Sequence, residues 1–284
     1  MRSPTASDEV ARRERFAFGE NWAQFLSVIG EDRVSAAEKS LQHLLKRSKL
    51  DGVRLLDVGC GSGLYSLAAR RLGAAVHSFD YDPNSVACTL ELRRRFTPDD
   101  AAWLVEEGSV LDDSFLDSLG TFDVVYSWGV LHHTGAMWRA VDNASRLVAP
   151  LGMLAIAIYN RQPILTPFWV GVKRLYLVLP LPVRPLLTWG YLGYAGLASA
   201  AADMLKGRVP WGRWRLHGDR GMSLYHDAVD WVGGWPFEAA SPGEVVAFLS
   251  ARGFELVSSA TVGHRHGCNE FLFRRQADLA RSPA

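Results

Sequence analysis

The sequence predicts an α/β fold built on a mostly parallel sheet. Three observations lead there. Short apolar runs alternate with helical patterns over residues 53–158, the spacing of βαβ units with right-handed crossovers. The first apolar run ends in Gly59, Gly61 and Gly63 and passes straight into a helix pattern. The alternation breaks at Tyr159 and resumes after Pro242, so a large insertion interrupts the sheet.

Taken in order, residues 8–49 read as helical. Trp22, Phe25, Leu26 and Ile29 fall at i, i+3, i+4 and i+7, and Ala37, Leu41, Leu44 and Leu45 form a second stripe. Residues 53–58 read as a buried strand, 64–72 as a helix stopped by Gly73, and 75–79 as a second strand ending at Asp80. A helix over 83–96, a weak strand over 102–105, a strand over 122–127, a helix over 136–148 and a strand over 153–158 follow. Residues 163–240 lack strand alternation and hold six of the ten tryptophans, which predicts a packed helical lid over the acceptor side of the sheet. A helix over 242–251 and strands over 254–258 and 270–273 complete the pattern. Three units result: an N-terminal helical cap (1–50), a core (51–160 and 241–276) and a helical insertion (161–240).

The chain has 284 residues, 48% hydrophobic and 21% charged, values of a globular protein. Its net charge of +1 carries no nucleic-acid signature. The charge is unevenly spread, however. Lys173, Arg174, Arg184, Lys206, Arg208, Arg213, Arg215 and Arg220 face only Asp203 and Asp219 within residues 163–220. Cys60, Cys88 and Cys268 form neither a disulfide framework nor a zinc spacing. Asp8, Glu9 and Glu14 near the start leave no apolar signal core, so the cytoplasm is the expected location. The uncharged run 185–202 is interrupted by glycines and a Trp-Gly-Tyr and is not read as a membrane span.

The most informative stretch is Asp57-Val-Gly-Cys-Gly-Ser-Gly63. Glycine permits positive φ and close approach of a ligand to the backbone, and ligands of such sheets bind beyond the carboxyl ends of the strands. Asp80, at the end of the next strand, is placed to accept hydrogen bonds from ribose hydroxyls. A dinucleotide fingerprint would need glycine at position 64, which is Leu64.

The pattern instead resembles motif I of the class I, Rossmann-like S-adenosylmethionine-dependent methyltransferases, in the small-molecule type 11/12-like branch. Gly108-Ser-Val110 resembles the adenine-contacting stretch. Phe122-Asp-Val-Val-Tyr-Ser-Trp-Gly-Val-Leu-His-His-Thr134 resembles the fourth-strand motif, and Arg146-Leu-Val-Ala-Pro-Leu-Gly152 the turn before strand five, with Leu151 where glycine is usual. The resemblance covers residues 53–158 and the elements after Pro242. It implies a seven-stranded sheet with an antiparallel last strand and S-adenosyl-L-methionine as methyl donor. The cofactor-binding set it implies is Asp57, Gly59, Cys60, Gly61, Gly63, Asp80, Tyr81, Ser109, Val110 and Ser127. Cys60 is read as a small filler of the turn rather than a catalytic thiol, since no base adjoins it in sequence. The fourth-strand stretch partly resembles ubiquinone-type O-methyltransferases, whose acidic residues there accompany a metal. Gly129 and His132 occupy those positions here, so no metal is expected.

Methyl transfer needs an acceptor lone pair in line with the donor, and a base when the acceptor is protonated. Histidine suits that role near neutral pH. His133 and His226 rank ahead of His132. Tyr225, Asp227 and Glu238 lie in the polar and aromatic stretch 221–238, which resembles a segment of one branch of bacterial methyltransferases, as does Phe18-Gly-Glu-Asn-Trp22. His264, His266 and Cys268 alternate but do not supply the three or four convergent ligands of a metal site. Asn269 and Glu270 would face the pocket mouth. The expected reaction is methylation, with oxygen favoured, of a small-molecule or lipid-like acceptor. The alternatives are a membrane-surface enzyme acting on a lipid or polyprenyl-linked acceptor, held through residues 163–220, and a non-catalytic adenosylmethionine-binding protein. Without an RNA module or an Asn/Asp-Pro-Pro motif, nucleic acid is not an expected partner.

Overall fold

The computed structural model describes residues 5–205, 207, 224–263 and 267–277. Seven strands form one sheet: β1 (Arg54–Val58), β2 (Ala75–Asp80), β3 (Trp103–Glu107), β4 (Phe122–Trp128), β5 (Val148–Tyr159), β6 (Phe254–Ala260) and β7 (Cys268–Arg275). Their order is β3-β2-β1-β4-β5-β7-β6, and β7 runs antiparallel to both of its neighbours. The sheet and its antiparallel last strand are as the sequence implies.

The strands are apolar on both faces because helices cover both. On one face Leu55 and Val76 pack with Leu41 and Leu67, from α3 (Glu31–Leu45) and α4 (Leu64–Arg71). On the other, Leu56, Val125 and Ile156 pack with Val141 and Leu249, from α7 (Met137–Arg146) and α11 (Pro242–Ser250). The helix expected over 136–148 is shorter, and Val148 already belongs to β5. Leu151, near the start of β5, where the motif it resembles has glycine, sits at φ +62°, a left-handed conformation that glycine adopts more easily. One helix escapes the periodicity, α6 (Asp113–Leu119), whose seven residues are too few to show a stripe. Its signal is the cap: the Asp112 carboxylate accepts Ser114 N–H at 3.0 Å and Phe115 N–H at 3.2 Å.

The N-terminal helical run divides into α1 (Ala6–Ala11), α2 (Phe18–Leu26) and α3. Arg13 at φ +59° breaks it first, and extended Gly30 starts α3. α5 (Pro83–Phe96) follows β2, with Asp82 as its N-cap. In the insertion lie α8 (Leu165–Val178), α9 (Arg184–Leu205) and α10 (Leu224–Gly233). Trp169, Tyr176, Trp231 and Phe237 pack there with Phe16 and Tyr159 in a separate aromatic core. α9 turns apolar side chains outward: Leu186, Trp189 and Leu197 are 69%, 61% and 70% exposed.

Candidate active site

The glycine turn is built for close approach. Gly59, Gly61 and Gly63 have φ of +77°, +55° and +78°. Gly59 N–H and Cys60 N–H donate to Phe79 O at 2.9 and 3.1 Å, which ties the turn to the end of β2. Both oxygens of Asp80 are then engaged, Oδ2 by Gly61 N–H at 3.0 Å and Oδ1 by Asp82 N–H at 2.9 Å. Burial pushes the Asp80 carboxyl up to about 6, although both backbone donors favour its charged form. Asp57 lies deeper, and Ser66 Oγ donates to its Oδ2 at 2.5 Å. Burial, together with the neighbouring Asp80, pushes Asp57 up to about 7. Behind it, Ser66 meets Ser78 Oγ at 2.7 Å, which in turn accepts Trp103 Nε1–H at 2.9 Å. A fully buried chain of hydroxyls thus holds the carboxyl beneath the turn.

A cavity of about 1280 Å³ opens above these groups, at the carboxyl ends of β1, β2, β4 and β5. It lies where the strand order reverses between β1 and β4, the usual ligand crevice of such sheets. Asp57, Gly59, Cys60, Gly61, Asp80, Tyr81, Ser109 and Val110 all line it. Two expected cofactor residues do not. Ser127 is fully buried, and its hydroxyl donates to Val58 O at 2.9 Å, so it braces β4 against β1. Gly63 turns away from the cavity as the N-cap of α4, where a Cβ would meet Thr89 at 2.9 Å. The Cys60 thiol accepts from Thr89 Oγ1 at 3.3 Å, and burial raises its pKa far above the ordinary range, which makes it a filler and not a nucleophile.

The N-terminal segment closes one side of the cavity. Arg15 Nε donates to Glu9 Oε2 at 2.6 Å, Arg15 Nη1 donates to His133 O at 3.0 Å, and the guanidinium lies 5.0 Å from the Tyr81 ring centre. Tyr81 Oη donates to Glu9 Oε1 at 3.3 Å. Trp22 covers Gly61 so closely that a Cβ there would lie 2.9 Å from its Nε1. Glu9 and Arg15 escaped the sequence reading, because nothing in a helical stripe marks a side chain that reaches a distant turn. Phe18 and Trp22, from the Phe18–Trp22 segment singled out above, both line the cavity.

The candidate bases separate. His133 lines the cavity, and its Nδ1–H donates to Pro236 O at 2.5 Å, which fixes the tautomer and leaves Nε2 as the lone pair. Burial, with Lys173 nearby, pushes its pKa down to about 3. His132 is fully buried beneath Tyr159, ring centres 3.9 Å apart, and does not reach the cavity. His226 packs on Phe25 at 5.6 Å, and Tyr225 packs on Trp189 at 5.6 Å, both away from the cavity. Glu238 accepts Met137 N–H, at the first residue of α7, at 2.9 Å, a structural contact. The face of α10 that does line the cavity is Asp227, Asp230 and Trp231, at i, i+3 and i+4. Glu270 lines it too, whereas Asn269 donates to Asn160 Oδ1 at 3.0 Å. His264 and His266 lie outside the described residues.

Stacked rings line part of the cavity. Tyr65 and Tyr126 lie 5.2 Å apart at 19°, and Tyr126 and Trp128 5.4 Å apart at 5°. The cavity therefore offers a glycine turn with carboxylates and, besides it, aromatic and acidic side chains of β4, β5 and α10. The first suits a nucleoside that carries a cationic amino acid, and the second suits an apolar acceptor with a polar group.

Comparison with known proteins agrees with this geometry. Residues 56–156 match the family model described as a methyltransferase domain. A ubiquinone biosynthesis O-methyltransferase of Xanthomonas campestris pv. campestris is 31% identical over 123 residues, 43% of this chain and 50% of that protein. One of the same description from Xylella fastidiosa is 29% identical over 167 residues, 55% of this chain and 65% of that protein. The alignment thus spans about half the length of the first of these relatives. The fold is shared with magnesium protoporphyrin IX methyltransferase from Synechocystis PCC 6803, solved with bound SAH (TM-score 0.55, 12% identity, 92% of this chain and 95% of that one). An O-methyltransferase family protein from Burkholderia thailandensis shares it as well (TM-score 0.53, 14% identity, 95% and 67% coverage). The stretch that matches the methyltransferase-domain model thus holds the glycine turn and β4, within a sheet of the fold shared with these solved methyltransferases.

Proposed function

We propose that the protein transfers the methyl group of S-adenosyl-L-methionine to an oxygen of a small, partly apolar acceptor. The observation that carries this reading is the Gly59–Gly63 turn, whose Gly61 N–H is held by Asp80 at the floor of a cavity large enough for two ligands. The donor supplies an electrophilic methyl on a sulfonium. The chain would bind its ribose at Asp80, set its charged end near Asp57 and the turn, and leave the acceptor against Trp128, Tyr159 and Trp231. Oxygen as the methylated atom is supported by the names of the relatives. The direct test is transfer of isotope-labelled methyl to a panel of phenols and quinols, read by mass spectrometry. Labelled ether products support the reading, and products labelled only on nitrogen or sulfur contradict oxygen as the acceptor atom.

A second feature favours a lipid-like acceptor and a cytoplasmic enzyme that touches the membrane surface. Trp189 and Leu197 on α9, with Phe168 on α8, face outward, and the following segment carries Lys206, Arg208, Arg213, Arg215 and Arg220. Apolar side chains beside a basic segment complement an anionic bilayer. Among the described residues no helix is long and apolar enough to cross a membrane, so the contact would be peripheral. Of the basic residues of α8 and α9, Lys173 is fully buried, Arg174 lies over the Trp235 ring and Arg184 donates to Leu177 O and Leu179 O. These three hold the insertion together, so lipid attraction would rest on the later basic residues. Flotation with anionic vesicles, weakened by Trp189→Ser with Leu197→Ser, is the expected result. Equal flotation of the variant, or none of the wild type at low salt, contradicts it.

A further inference from the structure

Asp230 stands on the cavity-facing side of α10 with Asp227 and Trp231. Asn21 of α2 fixes its place, since Asn21 Nδ2 donates to Asp230 Oδ1 at 2.8 Å and to His226 O at 3.1 Å. Lys173 of α8 supplies a countercharge from behind. Its side chain is fully buried, Nζ donates to Trp231 O, and the ammonium lies 5.4, 5.1 and 4.7 Å from the ring centres of Tyr159, Trp231 and Phe237. A buried ammonium needs an anion or ring faces to offset its lost hydration, and here it has both.

Several other polar groups of the cavity are committed elsewhere. Asp57 holds Ser66, Asp80 holds two backbone donors, and Asp82 accepts Gly19 N–H and Asn84 N–H at 2.9 Å each. Glu9 holds Arg15 and Tyr81. His133 faces the cavity but, buried beside cations, is too weak a base to hold a proton at neutral pH.

We propose that Asp230 is the catalytic residue that takes the proton from a hydroxyl acceptor. This rests on the methyltransferase reading above. An oxygen lone pair of the acceptor forms the new O–CH₃ bond as the C–S bond of the sulfonium breaks. The electron pair of that bond stays on sulfur as a neutral thioether, and the hydroxyl proton passes to the Asp230 carboxylate. Burial and Asp227 raise the Asp230 pKa well above the usual carboxylate range, with Asn21 and Lys173 opposing, which makes it a better base than an exposed aspartate.

The test uses 4-nitrophenol, whose colour reports its ionisation, titrated into the S-adenosylhomocysteine complex of the full chain. The pH is set about one unit below the pKa of the free phenol. Wild type is expected to bind the probe and show the phenolate band. Asp230→Asn keeps the shape of the side chain and its contact with Asn21. It should bind the probe at least about tenfold more weakly and leave it un-ionised, with S-adenosylhomocysteine affinity within about twofold of wild type. Equal ionisation in both proteins, or no probe binding by a wild-type complex already saturated with S-adenosylhomocysteine, overturns the role of Asp230. Absence of S-adenosylhomocysteine binding by the wild type overturns the methyltransferase reading instead.

Discussion

Gly61 N–H donates to Asp80 Oδ2 at 3.0 Å, so the glycine turn after β1 and the acid after β2 form one structural unit. The carboxylate that would hold a ribose also sets the backbone that would lie beside it. A change at either residue is therefore expected to reach the other.

At position 61 a methyl group has no room. The residue sits at φ +55°, and a Cβ would meet Trp22 Nε1 at 2.9 Å. Gly61→Ala should weaken S-adenosylhomocysteine at least about tenfold by displacing Trp22 and straining the turn, a strain of about 1–2 kcal/mol. Calorimetric titration of the variant checks this, and unchanged affinity would remove the turn from the site.

Asp80 should make cofactor binding pH-dependent. Its carboxyl is raised to about 6, and the charged form is the stronger acceptor on both oxygens. Affinity for S-adenosylhomocysteine should be full above pH 7 and fall as pH drops through 6, by up to about tenfold per unit. Titrations at pH 5, 6, 7 and 8 read it directly, and a flat profile contradicts the assignment.

His133 has a structural role that can be measured without an acceptor. Its Nδ1–H holds Pro236 O at 2.5 Å, and its ring packs on Phe18 at 4.9 Å and Tyr159 at 5.3 Å. His133→Ala should destabilise the fold by about 1–3 kcal/mol through the orphaned carbonyl and the lost packing. Chemical denaturation provides the measurement, and a variant as stable as wild type would mean that the contact contributes nothing.

Lys173 predicts a slope of stability with pH. Burial lowers its pKa to about 7, with Asp230 and Cys268 opposing, whereas an unfolded lysine stays protonated to about 10.4. Between these values the unfolded chain binds more protons, so this group makes stability rise with pH above 7. Lys173→Met should remove that rise. Urea midpoints at pH 7 and 9 for both proteins decide it, and parallel changes would show that Lys173 does not titrate in this window.

Much of this was legible in the sequence because it depends on local pattern. The strand–turn–helix around Gly59, Gly61 and Gly63 and the position of Asp80 follow from spacing alone. The acceptor wall was harder to read. His226 drew attention as a histidine, but the helical period places 227, 230 and 231 on one face, and His226 turns to Phe25. The same period would have found Asp230. Lys173 was read with the basic residues of 163–220 and is instead buried, because its partners Asp230 and Trp231 lie 57 and 58 positions further along the chain. Arg15 depends on tertiary reach alone and left no local mark.

The Gly59–Asp80 unit is expected to bind the methyl donor. The most direct test is calorimetric titration of S-adenosylhomocysteine, with NAD in parallel, into wild type and Asp80→Ala. Saturable one-to-one binding of S-adenosylhomocysteine by the wild type is predicted, with no binding of NAD. The variant should lose about 1.5–3 kcal/mol for each charge-assisted hydrogen bond removed. Equal affinity in wild type and variant, or tight NAD binding without S-adenosylhomocysteine binding, would contradict it.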